Sequence, residues 1–122
     1  NEYGQLKSSQ RMVESLRQRG WLDPGPGAAP VPFYAVQAYD QTLPFYLGRP
    51  VILVDYRDEF SFGQAQEPER WMDSLDSFVQ RWSAQPQALA YTSLETLEVL
   101  QLRGVALKVV WQDPRRVVVV KP

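Results

Sequence analysis

The run Val51-Ile52-Leu53-Val54 limits the possible folds more than any other stretch of the chain. Four consecutive apolar residues, bounded by Gly48-Arg49-Pro50 and Asp55, suit a strand covered on both faces, which requires helices on each side of a sheet. The flanking sequence supplies them. In residues 1–20, Leu6, Met12, Val13, Leu16 and Gly20 fall within about 120° of one another at 100° per residue, predicting a helix that Gly20 ends. Residues 21–32, with Asp23-Pro24-Gly25-Pro26-Gly27-Ala28-Ala29-Pro30, read as a loop. Phe33 to Tyr39 is a strand candidate. Asp40 can cap a short helix from Gln41 to Leu47, with Pro44 still in its first turn.

The second half repeats the alternation. Trp71, Met72, Leu75, Phe78, Val79 and Trp82 share an arc of about 120°, which predicts one helix across all of them. Ala88 to Tyr91 is a strand. Thr92-Ser93-Leu94-Glu95 has capping-box spacing and opens a helix running to Arg103, closed by Gly104. Ala106 to Trp111 and Arg116 to Lys121 form a hairpin around Gln112-Asp113-Pro114-Arg115, where Pro suits a type I turn. The connections between the first three strands are long enough for right-handed parallel crossovers. The expected fold is therefore α/β: a three-layer sandwich whose mostly parallel sheet of about five strands ends in an antiparallel hairpin. A chain of 122 residues makes one such domain, 1–122, with a helix at Asn1–Gly20, a loop at 21–32 and an α/β core at 33–122.

Composition narrows the chemistry. The sequence contains no Cys and no His, which removes Cys/His zinc sites, thiol nucleophiles, Ser-His-Asp triads and disulfides. Thirteen basic against 14 acidic residues leave a net charge of −1 with no basic stretch, so nucleic acid is not an expected partner. No apolar run reaches 18 residues, and no signal peptide is visible. The chain starts at Asn1 rather than Met, so it reads as a piece of a longer protein.

In open α/β sheets ligands sit beyond the carboxyl ends of the strands, here Tyr39-Asp40, Asp55-Tyr56 and Thr92. Neither GxGxxG nor GxxxxGK[ST] follows the first strand, which disfavours dinucleotides and nucleoside triphosphates. Asp40 can bind a ligand, but a carboxylate at a helix start more commonly accepts its own helix's N–H groups. Asp55, Asp58 and Glu59 can serve acid/base chemistry or a hard cation, or can form a solvated acidic loop with Arg57, the reading we favour. Arg49 can hold an anion in its planar fork, although pairing with Asp55 or Asp58 is the simpler expectation. The segment Asp55–Arg70 carries Tyr56, Phe60, Phe62 and Gly63; its rings suit a contact surface or an inward-folded roof equally well.

Taken together, Tyr39-Asp40-Gln41-Thr42-Leu43-Pro44-Phe45-Tyr46-Leu47-Gly48-Arg49-Pro50, Asp58-Glu59-Phe60-Ser61-Phe62-Gly63, Glu67-Pro68 and Arg115-Arg116-Val117-Val118-Val119 form a recognisable pattern. From about Val31 to Pro122 the chain resembles the C-terminal periplasmic domain of bacterial inner-membrane glycosyltransferases of the protein O-mannosyltransferase superfamily. That group includes the aminoarabinose transferase acting on lipid A. The resemblance implies a parent with many membrane spans that moves a sugar from a polyprenyl-phosphate carrier to a periplasmic acceptor. It implies that the catalytic acidic residues, and any metal, lie in the membrane domain rather than in this chain.

On that reading the chain is a non-catalytic platform without a cofactor. Its expected partners are the parent's transmembrane domain and a glycolipid or sugar acceptor, on the periplasmic side of the inner membrane. The resemblance assigns no chemical role to Asp40 or Glu59, which stand as contact candidates with Tyr39, Gln41, Tyr46, Arg49, Tyr56, Asp58 and Phe62. Two other readings compete: a carboxylate glycosidase using two of Asp55, Asp58 and Glu59, and a free-standing binding module of flavodoxin-like shape.

Overall fold

A computed structural model of the chain describes residues 2–22, 25–27, 29–40, 42–56 and 71–122. In chain order the elements are α1 (Glu2–Gln18), β1 (Phe33–Val36), α2 (Leu43–Leu47), β2 (Ile52–Val54), β3 (Trp71–Met72), α3 (Leu75–Ala84), β4 (Leu89–Ser93), α4 (Leu94–Leu102), β5 (Lys108–Gln112) and β6 (Arg116–Val120). Among the described residues six strands form one sheet in the order β3-β2-β1-β4-β6-β5. The β3-β2, β2-β1 and β1-β4 pairs are parallel, while β4-β6 and β5-β6 are antiparallel. The architecture is thus the expected mostly parallel α/β sandwich with a terminal hairpin.

The period-2 alternation of strand side chains divides the core in two. Phe33, Leu89 and Val120 lie in one row across three strands, and Ala35, Tyr91 and Val118 in a second. Both rows face Met12, Val13 and Leu16 of α1 and Leu43 and Leu47 of α2. The intervening rows, Tyr34-Ala90-Val119 and Val36-Thr92-Val117, point the other way. Apart from Thr92, those residues pack with Phe78 and Trp82 of α3 and Leu97 and Leu100 of α4. Tyr34 lies edge-on to Phe78, with ring centroids 5.2 Å apart, and to Trp82, at 6.4 Å.

Several boundaries differ from the sequence reading, each for a local reason. Trp71 and Met72 belong to β3, paired with Leu53 and Val54, and make a sixth strand where about five were expected. Ser74 separates them from the helix: its backbone is extended (φ −147°, ψ 153°) and its hydroxyl accepts the Ser77 N–H, which starts α3 at Leu75. A two-residue strand is too short to disturb the helical periodicity that follows it. The first strand stops at Val36 rather than Tyr39 because Gln37 turns into the left-handed region at φ 53°.

Ser93, not Thr92, caps α4: its Oγ accepts the Thr96 N–H at 3.1 Å. Thr92 is instead fully buried and donates its hydroxyl to the Val36 carbonyl at 2.8 Å. Ser93→Ala is expected to lower the unfolding free energy by about 1 kcal/mol, measurable by urea titration. At the hairpin the Asp113 carboxylate accepts the N–H groups of Arg115 and Arg116, and the Asp113 N–H donates to the Arg116 carbonyl. The tip is therefore a side-chain-closed turn with Pro114 at its second position.

Edge strand β5 carries an irregularity between Val109 and Trp111. The carbonyl of the intervening Val110 accepts a hydrogen bond from the Arg19 guanidinium, which reaches across from just beyond α1.

Burial holds the hydroxyls of Tyr34 and Tyr91 above the ordinary tyrosine value of 10.0. The Tyr34 hydroxyl donates to Gln85 Oε1 at 2.7 Å, and the charge of Arg81 partly offsets the rise, as Arg116 does for Tyr91. With pKa values higher in the folded than in the unfolded chain, their stabilisation is complete below pH 10 and is lost as pH climbs through the folded values. Tyr34→Phe is expected to flatten the alkaline fall of the unfolding free energy, read by chemical denaturation across pH 9–12.

Candidate functional site

The strand order reverses at β1, with β2 and β3 added on one side and β4 on the other, so the carboxyl ends of β1, β2 and β4 frame the crevice where open α/β sheets bind their ligands. Three polar side chains meet there. Gln37 follows β1, Asp55 follows β2 and Thr96 lies in the first turn of α4. Gln37 Nε2 donates to Asp55 Oδ2 at 2.6 Å, and Thr96 Oγ1 donates to Gln37 Oε1 at 3.0 Å. The backbone makes this possible: Gln37 (φ 53°) and Asp55 (φ 47°) occupy equivalent positions on adjacent strands, and both are non-glycine residues in the left-handed region. Each still donates its N–H along the sheet, Gln37 to Val54 O and Asp55 to Met72 O, both at 2.8 Å. Such conformations cost on the order of 1–3 kcal/mol each and are held by their surroundings. Beside them the rings of Tyr39 and Tyr56 lie 6.1 Å apart and tilted, both half-buried.

Asp40 occupies the same end of the molecule and is wholly engaged. Its Oδ1 accepts the Thr42 N–H at 2.9 Å and the Thr42 hydroxyl at 2.6 Å, while its Oδ2 accepts the Ser9 hydroxyl of α1 at 2.5 Å. The carboxylate therefore prepares the start of α2, three residues before Leu43, and fastens α1 to it. Helix α2 has Thr42 rather than Asp40 in the N-cap position, and Thr42 makes no side-chain cap. The other end of α2 is also tied to α1, because Arg17 Nη2 reaches the carbonyls of Tyr46 and Leu47. Tyr46 is half-buried with its ring 5.1 Å from that of Phe45, which is 78% exposed. Arg49 is half-buried after α2.

Tyr39, Asp40, Asp55 and Tyr56 are thus brought together at the strand ends, while Tyr46 and Arg49 lie along and beyond α2. Gln41, Asp58, Glu59 and Phe62 lie outside the described residues, and with them at least one member of every acidic pair on which a glycosidase would depend. Sequence reasoning missed Gln37 and Thr96: a glutamine in a left-handed turn carries no sequence signal. It also missed a cavity of about 170 Å³ at the opposite, amino ends of the strands, walled by Trp21, Val31, Leu89 and Val120. That volume is below the roughly 300–1,000 Å³ of most small-molecule pockets.

Among the described residues no helix is long and apolar enough to cross a membrane. Residues 26–121 match the family described as the aminoarabinose transferase C-terminal domain. Two crystal structures of ArnT from Cupriavidus metallidurans, each 36% identical, share this fold. The form bound to undecaprenyl phosphate superposes with a TM-score of 0.78 over 97% of this chain, and the apo form with 0.77 over 96%. In both cases the chain spans 20% of the length of its relative. No curated protein matches the chain.

Proposed function

Because this chain belongs to the aminoarabinose transferase C-terminal domain family, we propose that it is the non-catalytic, periplasmic C-terminal lobe of an inner-membrane glycosyltransferase. The parent would move a sugar from a polyprenyl-phosphate carrier to a lipid A-type acceptor. The observation that carries this reading is 36% identity, across 97% of the chain, to an ArnT whose crystal structure holds undecaprenyl phosphate.

The arrangement of the side chains agrees with a supporting role. The sequence offers no His or Cys, and the Asp40 carboxylate is engaged by Ser9 and Thr42 of its own chain. What the lobe provides is a rigid sheet whose carboxyl-end rim presents tyrosine rings, an amide and a carboxylate, groups suited to lie against protein or sugar. Tyr39, Asp40, Tyr46, Arg49 and Tyr56, with Gln41, Asp58, Glu59 and Phe62, are the contact candidates.

The test is glycosyl transfer from a polyprenyl-phosphate sugar in membranes carrying the full open reading frame, beside the lobe expressed alone. Transfer by the full protein and none by the lobe is the expected result. Sugar transfer by the purified lobe unaided, or a full-length protein that transfers no sugar, would overturn the proposal.

A further inference from the structure

We infer that the strand-carboxyl rim formed by Gln37, Tyr39, Asp55 and Tyr56 is the surface against which the preceding part of the same polypeptide docks. This rests on the reading above that the chain is the C-terminal lobe of a longer protein. The direction of α1 carries the argument. Ser9 is bonded to Asp40 at the carboxyl ends of the parallel strands, Arg17 to the carbonyls at the far end of α2, and Trp21 packs beside Leu89 and Val120 at the amino ends. Helix α1 therefore runs antiparallel to β1, and its chain enters from the carboxyl-end side. Seven residues separate Glu2 from Ser9, so at 1.5 Å per residue the helix reaches about 10 Å past the Asp40 anchor before the chain leaves it.

The matched relatives are about five times as long as the part this chain covers, since it spans 20% of each. A lobe at the C-terminal end of such a protein has most of its polypeptide arriving through α1. The helix cannot swing freely, because Met12, Val13 and Leu16 are buried against the sheet and both ends of α2 are tied to it. The incoming mass is therefore delivered to the rim, where Gln37 and Asp55 are exposed and two tyrosines are half-buried. Tyrosine-rich surfaces with few but well-held polar groups are typical of contact surfaces. Leu102, 82% exposed, is the last residue of α4, which starts at the carboxyl end of β4 and runs back toward the opposite end of the sheet.

The experiment uses the full-length protein in membranes, with any upstream cysteines replaced; the lobe itself has none. Gln37→Cys, Asp55→Cys and Leu102→Cys are each labelled with a bulky maleimide. Labelling at 37 and 55 is expected to be at least ~10-fold slower than at 102, as for side chains inside a water-excluding contact. A photo-crosslinking phenylalanine analogue at Tyr56 preserves an aromatic ring there and decides the matter if the cysteine variants misfold. Its adducts should map to the segment preceding α1. Equal labelling at all three positions, or crosslinks confined to the lobe or to another protein, would overturn the inference. Sugar transfer measured in the same membranes separates the two readings: a protected rim without transfer retires only the enzymatic one, and transfer with an open rim retires only this one.

Discussion

Trp82→Ala is expected to lower the unfolding free energy by about 3–5 kcal/mol, the range for removing a fully buried tryptophan. Trp82 is 1% exposed on the inner face of α3, with its ring 5.4 Å from that of Phe78 and 6.4 Å from that of Tyr34. Its indole N–H also donates to the Ala106 carbonyl at 2.9 Å, in the segment between α4 and β5. The substitution thus empties the centre of one core and unties a connection on its rim, leaving a carbonyl without its donor. Trp82→Phe separates these effects: it keeps most of the ring volume, loses the hydrogen bond and should cost markedly less. Urea denaturation followed by circular dichroism measures both, and a loss under 1 kcal/mol for the alanine variant would contradict the packing described.

Asp40→Ala has the second largest expected effect, about 2–4 kcal/mol, because three hydrogen bonds to one carboxylate disappear together and each is of the charge-assisted kind. Asp40→Asn retains the shape and an acceptor oxygen and should recover part of the loss. On the proposed reading the alanine change in the full-length protein is also expected to reduce sugar transfer, since it frees α1 from the start of α2. Normal protein level with normal transfer would remove Asp40 from the contact candidates and from its anchoring role together.

Much of the architecture was legible because the core is built on simple periods. The arc of Met12, Val13 and Leu16, the arc of Leu75, Phe78 and Trp82, and the apolar strands on both sides of Asp113-Pro114 each follow from spacing alone. What escaped is what depends on neighbours distant in sequence. Ser9 and Asp40 lie 31 positions apart, and nothing in either local stretch announces their bond. Trp71 and Met72 fit the helical arc and join the sheet only because Leu53 and Val54 are there to pair with them. At the strand ends the position of Asp55 was anticipated from topology. The left-handed turns that bring Gln37 to it are the outcome of the assembled sheet, since glutamine, unlike aspartate, has no preference for that conformation.

Arg19 gives one more consequence. An open sheet border with unpaired backbone groups is a surface on which a second copy can extend the sheet from molecule to molecule. Among the described residues one border strand, β3, has two residues, and the other, β5, is kinked at Val110 with the Arg19 guanidinium lodged on its carbonyl. At the β5 border, copies of this domain should slide past each other without zipping into ribbons.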